Sequence, residues 1–124
     1  VTPTLTRNFV AGGTIGLNRV VIPGSADGAV VQASAATGAL IGVCRQPGGA
    51  VSGERCDVDV SGVTEAVAGG TITRGALLTA DANGAVIAAT ASAGANIRVI
   101  GIALTSASAG DIIPVLLAPG SFQG

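Results

Sequence analysis

The chain repeats itself, and that limits what it can fold into. Ala11-Gly12-Gly13-Thr14-Ile15 returns letter for letter as Ala68-Gly69-Gly70-Thr71-Ile72. Asp27-Gly28-Ala29-Val30-Val31 returns as Asn83-Gly84-Ala85-Val86-Ile87, and Ile41-Gly42-Val43 as Ile100-Gly101-Ile102. Gly53 and Val58 have partners in Gly110 and Val115. The matches keep their order at a nearly constant offset. Each half then reads as one supersecondary unit that needs its twin to bury its apolar face, and two copies are too few for a solenoid.

Within each half the pattern is that of strands. Asp27-Gly28 and Asn83-Gly84 are dipeptides favoured in two-residue hairpin turns, where both central positions need φ > 0. Val20 to Ile22 and Val30-Val31 flank the first, and Leu77-Leu78 and Val86-Ile87 the second. Further β-rich runs are 39–44, 56–60, 63–67, 97–104 and 112–117. Cys56-Asp57-Val58-Asp59-Val60 alternates apolar and polar, as a half-buried strand does. Turn signals separate these runs at about ten-residue spacing, which predicts an all-β sandwich or barrel. A short helical turn near residues 33–37 is compatible with the sequence. Gly94, Thr90 and Ser92 argue against a helix over 88–95. The expected organisation is an N-terminal arm at 1–10, one β domain at 11–118 with halves near 11–60 and 68–117, and a tail at 119–124. The ends read either as arms or as simple fraying.

Composition narrows function by subtraction. There is no His, the commonest general base and metal ligand, and all six cations are Arg, so no Schiff-base lysine exists. Net charge is −1 without a basic cluster, which gives a phosphate backbone little to attract it. The only aromatics are Phe9 and Phe122, at opposite ends of the chain, so no base-stacking platform is expected. No run of 18 apolar residues is present, and no membrane span is expected. The segment Val1 to Arg7 lacks the charged and apolar regions of a signal peptide. With 48% hydrophobic and 10% charged residues the chain is the opposite of a disordered one.

The reactive residue types do not assemble into a familiar site. Cys44-Arg45 and Arg55-Cys56 are mirrored, with the cysteines twelve apart; a hairpin closed over Gln46 to Glu54 would make them face each other, so a disulfide is possible. Ala103 and Ile113 stand at the repeat counterparts, which favours two small buried thiols instead. Asp57 and Asp59 form an Asp-x-Asp pair, and Asp27, Asp81 and Asp111 lie near glycines. They are scattered over separate turns, unlike a calcium loop, and read as solvated strand faces and turn residues. The glycine-rich pieces match no phosphate-binding pattern, and Gly-x-Ser-x-Gly is absent. No catalytic residue, metal ligand or cofactor is assigned, and the protein is not expected to be an enzyme.

A small domain with so few charges must expose apolar area, and contiguous apolar patches usually mark interaction sites. The run 112–117 is a candidate contact, with a core strand as the favoured reading. Pro114 cannot donate a ladder hydrogen bond, which suggests an edge position.

Ala68 to Ile72, Thr79 to Gly84, Ile100 to Leu104, Ala109-Gly110-Asp111 and Val115 to Gly120 together resemble the capsid cement proteins of tailed bacteriophages. The resemblance spans about residues 8–120. It implies a small, jelly-roll-like or barrel-like protein on the outer surface of a phage head. Such a protein binds the major capsid protein lattice and holds the expanded, DNA-filled shell. Its expected partners are the major capsid protein and neighbouring copies of itself, as a dimer or trimer, with no nucleic acid and no membrane. It would be made in the host cytoplasm. Arg7, Asn8 and Phe9, with Phe122, are the expected contacts, Phe being the only aromatic anchor available. On this view deleting residues 1–8 weakens shell binding and leaves the fold intact. A β-module of a phage tail or of a cell-surface or pilus-like fibre is the alternative reading. A carrier of a small apolar ligand is a third.

Overall fold

The computed structural model describes residues 4–36, 38–89 and 96–123. Among them there is no helix. The strands are β1 (Thr4–Ala11), β2 (Val20–Pro23), β3 (Ala29–Gln32), β4 (Gly42–Cys44), β5 (Arg55–Val67), β6 (Leu77–Ala80), β7 (Val86–Ala88), β8 (Asn96–Ala103) and β9 (Ile112–Gln123). The fold is all-β, as expected.

The first five strands close into a barrel. β1 pairs parallel with β3, and β3, β2, β4 and β5 follow in antiparallel order. β5 then returns to β1 through seven residue pairs, from Thr4↔Gly62 to Val10↔Arg55. Closure removes the exposed edges that an open sheet would present. Val21, Val30, Cys44, Cys56 and Val58 fill this barrel and are fully buried.

β5 is too long for one barrel. Beyond Gly62, at φ +91°, it leaves β1 and pairs with β9, and β8, β6 and β7 follow. A parallel bridge, Ala68↔Val86, brings β7 back against the end of β5. The pairings of the first barrel recur here. Ile15↔Ala50 has its counterpart in Ile72↔Ala107, Val20↔Val43 in Leu77↔Ile102, and Val43↔Asp59 in Ile102↔Leu116. Turn hydrogen bonds follow the same offset. Gly53 N donates to Ala11 O and Gly110 N to Ala68 O, each at 2.8 Å. The positive φ of Asn18 (66°) reappears at Gly75 (90°).

Several expectations change in three dimensions. The runs 56–60 and 63–67 are one continuous strand, because Ser61-Gly62 bends β5 without ending it. The N-terminal segment is a barrel strand from Thr4 onward and not an arm. The C-terminal segment is strand to Gln123, paired with β8 from Asn96↔Gln123 to Val99↔Gly120, and not a loose tail. Pro114 lies on an interior strand. β9 has β5 on one side and β8 on the other, and the β8 ladder ends at Ala103↔Val115, so the missing N–H falls just past its last pair. No helix is found over the described residues 33–36, and Thr37 lies outside the described residues, as do 90–95. The Asp27-Gly28 and Asn83-Gly84 turns belong to five-residue connections, closed by Gly24 N to Ala29 O and Asp81 N to Ala85 O. Gly28 and Gly84 still supply the positive φ.

Candidate interaction surface

β1 presents two different faces. Arg7 lies over the Phe9 ring, 5.3 Å from its centroid, and Phe9 is half-buried against the barrel interior. The ring is thus tied down, while the guanidinium above it is exposed. Asn8 points the other way and its Oδ1 accepts from Arg55 Nη2 at 3.0 Å, and Arg55 Nε holds Asp57 at 2.9 Å. Three of the expected contact residues therefore share one strand. Phe122 does not join them through any strand pairing. Its backbone pairs with Ile97 on β8, and its side chain lies outside the described atoms.

Asp59 is not a solvated strand residue. It is 6% exposed and sits where the two halves meet. Thr6 donates to Oδ1 at 2.7 Å, Thr64 donates to Oδ2 at 2.6 Å, and Arg45 Nε stands 3.5 Å from Oδ2. Arg45 also reaches Asn18 Oδ1 at 2.7 Å and Glu65 at 3.4 Å. A buried carboxylate needs such partners to offset its desolvation. This network belongs to the joint between the halves.

Cys44 and Cys56 are both buried and free, and the Cys56 thiol donates to Cys44 Sγ at 3.4 Å. Burial, reinforced by the neighbouring Cys44, pushes the Cys56 thiol from its ordinary 9.0 up to about 12. A neutral, enclosed thiol is a poor nucleophile. Both cysteines are expected to resist a maleimide in the folded protein and to react on unfolding. Rapid labelling of the native chain would contradict the placement. Because the folded pKa is raised, the Cys56 contribution to stability is intact below about pH 9 and declines as pH rises toward 12. Among the described residues, no three carboxylates or thiols converge as a metal site requires.

The outer face of the second half carries part of the run 112–117. β9 alternates over 112–117. Ile113, Val115 and Leu117 are buried, whereas Ile112 (56%) and Leu116 (40%) are exposed. Directly opposed residues share a face, and here Leu77, Ile102, Leu116 and Val63 stand in one row across β6, β8, β9 and β5. Leu104 and Pro114 extend the row toward Ile112. The run 112–117 is therefore core on one side and apolar surface on the other. A shallow cleft elsewhere, lined by Gln46, Pro47, Gly49, Glu54 and Arg55, has no paired nucleophile and base.

Comparison with known proteins follows the same lines. No curated protein matches the chain in sequence. In fold it is similar to the crystal structure of the head fiber gp8.5 N base of bacteriophage phi29. The TM-score is 0.66 at 16% identity, with 94% of this chain and 95% of that one covered. The family model described as phage cement protein matches residues 6–117. The protein thus belongs to the phage cement protein family, a family of structural, head-associated phage proteins.

Proposed function

We propose that this protein decorates the outer surface of a phage head, binds the lattice of major capsid protein and stabilises the expanded, DNA-filled shell. The observation that carries this reading is the family match over residues 6–117. The physics agrees with it. A closed barrel is a rigid body, and a cement role needs contact area rather than a reactive group. A standard interface of about 1,600 Å² at micromolar affinity supplies roughly −8 kcal/mol per copy. Bridging two subunits adds to this through effective concentration. In this reading the protein is not an enzyme, takes no cofactor, and needs neither nucleic acid nor membrane. It is made in the host cytoplasm, and copies of it neighbour one another on the head.

Arg7, Asn8 and Phe9, with Phe122, are proposed as capsid contacts. Deleting residues 1–8 would remove most of a barrel strand, so point substitutions are the sound test. Purified protein should co-sediment with expanded, undecorated heads and saturate at a fixed ratio to the major capsid protein. Arg7→Glu should weaken binding at least tenfold without changing the melting temperature. Absence of binding at tens of micromolar would overturn the cement reading. A second reading, the base of a head fibre, is favoured by the likeness in fold to the phi29 head fiber base. Binding confined to a small, fixed number of sites per head would support it.

A further inference from the structure

One turn of the second half is seated on the first. Asn83 N and Ala85 N donate to Asp81 Oδ1 at 2.8 and 3.0 Å, which folds the turn back on itself. The Asn83 carbonyl accepts from Gln32 Nε2 at 2.9 Å and from Arg19 Nη1 at 3.3 Å, and the Gly84 carbonyl accepts from Val20 N at 2.8 Å. Gly84 N donates to Asp81 O at 3.2 Å. Glycine suits that seat, since φ is +74° and a Cβ would stand 2.7 Å from Gln32 Cγ. The requirement has a chemical consequence. Of the four asparagines only Asn83 precedes a glycine, and it is exposed. With no side chain on Gly84, nothing on that residue shields its nitrogen from the Asn83 amide carbon.

We propose that Asn83 is a site of spontaneous deamidation, held unreactive while its turn is seated and released when the turn lifts. In the reaction Gly84 N gives up its proton and bonds to Asn83 Cγ. The side-chain nitrogen takes up a proton and leaves as ammonia. Water then opens the cyclic imide at either carbonyl and gives aspartate or isoaspartate, with no oxidant or reductant needed. Ring closure requires Gly84 N to meet Cγ in attack geometry. The peptide plane between the two residues carries both the Asn83 oxygen and the Gly84 N–H. Gln32 and Arg19 hold the oxygen and the Asp81 carbonyl holds the N–H, so the plane cannot turn until those bonds break. Reaction therefore proceeds through local opening of the joint between the halves. The isoaspartate product has one more carbon in its main chain, and the old Asn83 carbonyl becomes a carboxylate. It cannot restore the bonds to Gln32, Arg19 and Val20 together. The modification is thus a one-way record that the joint has opened.

The test uses the purified chain alone, without heads, so it stands or falls separately from the cement reading. The chain is incubated at one pH and temperature, either folded or in urea sufficient to unfold it. Mass spectrometry follows the tryptic peptide 75–98, bounded by Arg74 and Arg98, with fragmentation to separate Asn83 from Asn96. Deamidation at Asn83 should be at least about tenfold slower in the folded chain. Gln32→Ala removes one of the two donors to the Asn83 carbonyl. It should speed the folded reaction at least about threefold, with its melting transition still above the incubation temperature. Arg19→Ala removes the other donor and serves the same purpose should Gln32→Ala fail to fold. Equal rates in the folded and unfolded chain overturn the proposal. So does a folded Gln32→Ala or Arg19→Ala chain that reacts no faster than the unmodified one.

Discussion

Gly101→Ala is expected to lower the melting temperature by about 10 °C, from a loss of about 3 kcal/mol. Gly101 is buried on β8, between β6 and β9. A methyl group there would run into the Leu116 carbonyl oxygen and stand 3.0 Å from Val115 Cγ1. The first of these is backbone in a paired strand and cannot swing aside. Gly42 occupies the same place in the first barrel, where a methyl would meet the Asp59 carbonyl and sit 2.6 Å from Val58 Cγ1. The recurrence of Ile-Gly-Val and Ile-Gly-Ile in the two halves thus has a steric cause. Gly70→Ala is the control. Nothing lies within 4 Å of its added methyl, and its φ is not positive. That change should be neutral or stabilise by about 0.5 kcal/mol through the unfolded chain. Equal effects at the two sites, measured by thermal melts, would refute the packing assignment.

Asp59→Ala should cost about 2 kcal/mol. The loss strands the Thr6 and Thr64 hydroxyls and leaves Arg45 with Glu65 as its one remaining carboxylate among those it reaches. Arg45 is one-third exposed and can turn to water or to Glu65, so the larger share falls on the buried Thr64. Asp59→Asn keeps an acceptor for one hydroxyl and should recover about half the loss. Chemical denaturation of the three proteins measures this directly. A change below about 0.5 kcal/mol in Asp59→Ala would show that the network does not hold the halves together.

The repeat, the strand runs and the turn glycines were readable in the sequence because they are local. The features that escaped are those whose partners lie far away. Thr4 to Val10 looks like an arm until the segment 55–62 is placed beside it. Asp59 looks like a solvated position because Thr6, Arg45 and Thr64 reach it from three separate places. Ser61-Gly62 looks like a break, and only the continuing ladder with β9 shows a bend. The run 112–117 was ambiguous between core and contact because parity along a strand has no meaning until a sheet gives it two sides. Of the expected contacts, Arg7, Asn8 and Phe9 share β1, while no strand pairing links Phe122 to them.

β5 is common property of both halves. Its first part closes the barrel against β1, and its last part anchors β9. Neither half can melt alone, because losing either removes a strand from the other. A closed barrel that shares a strand with the sheet beside it is therefore expected to be thermodynamically indivisible, passing between folded and unfolded in one cooperative step.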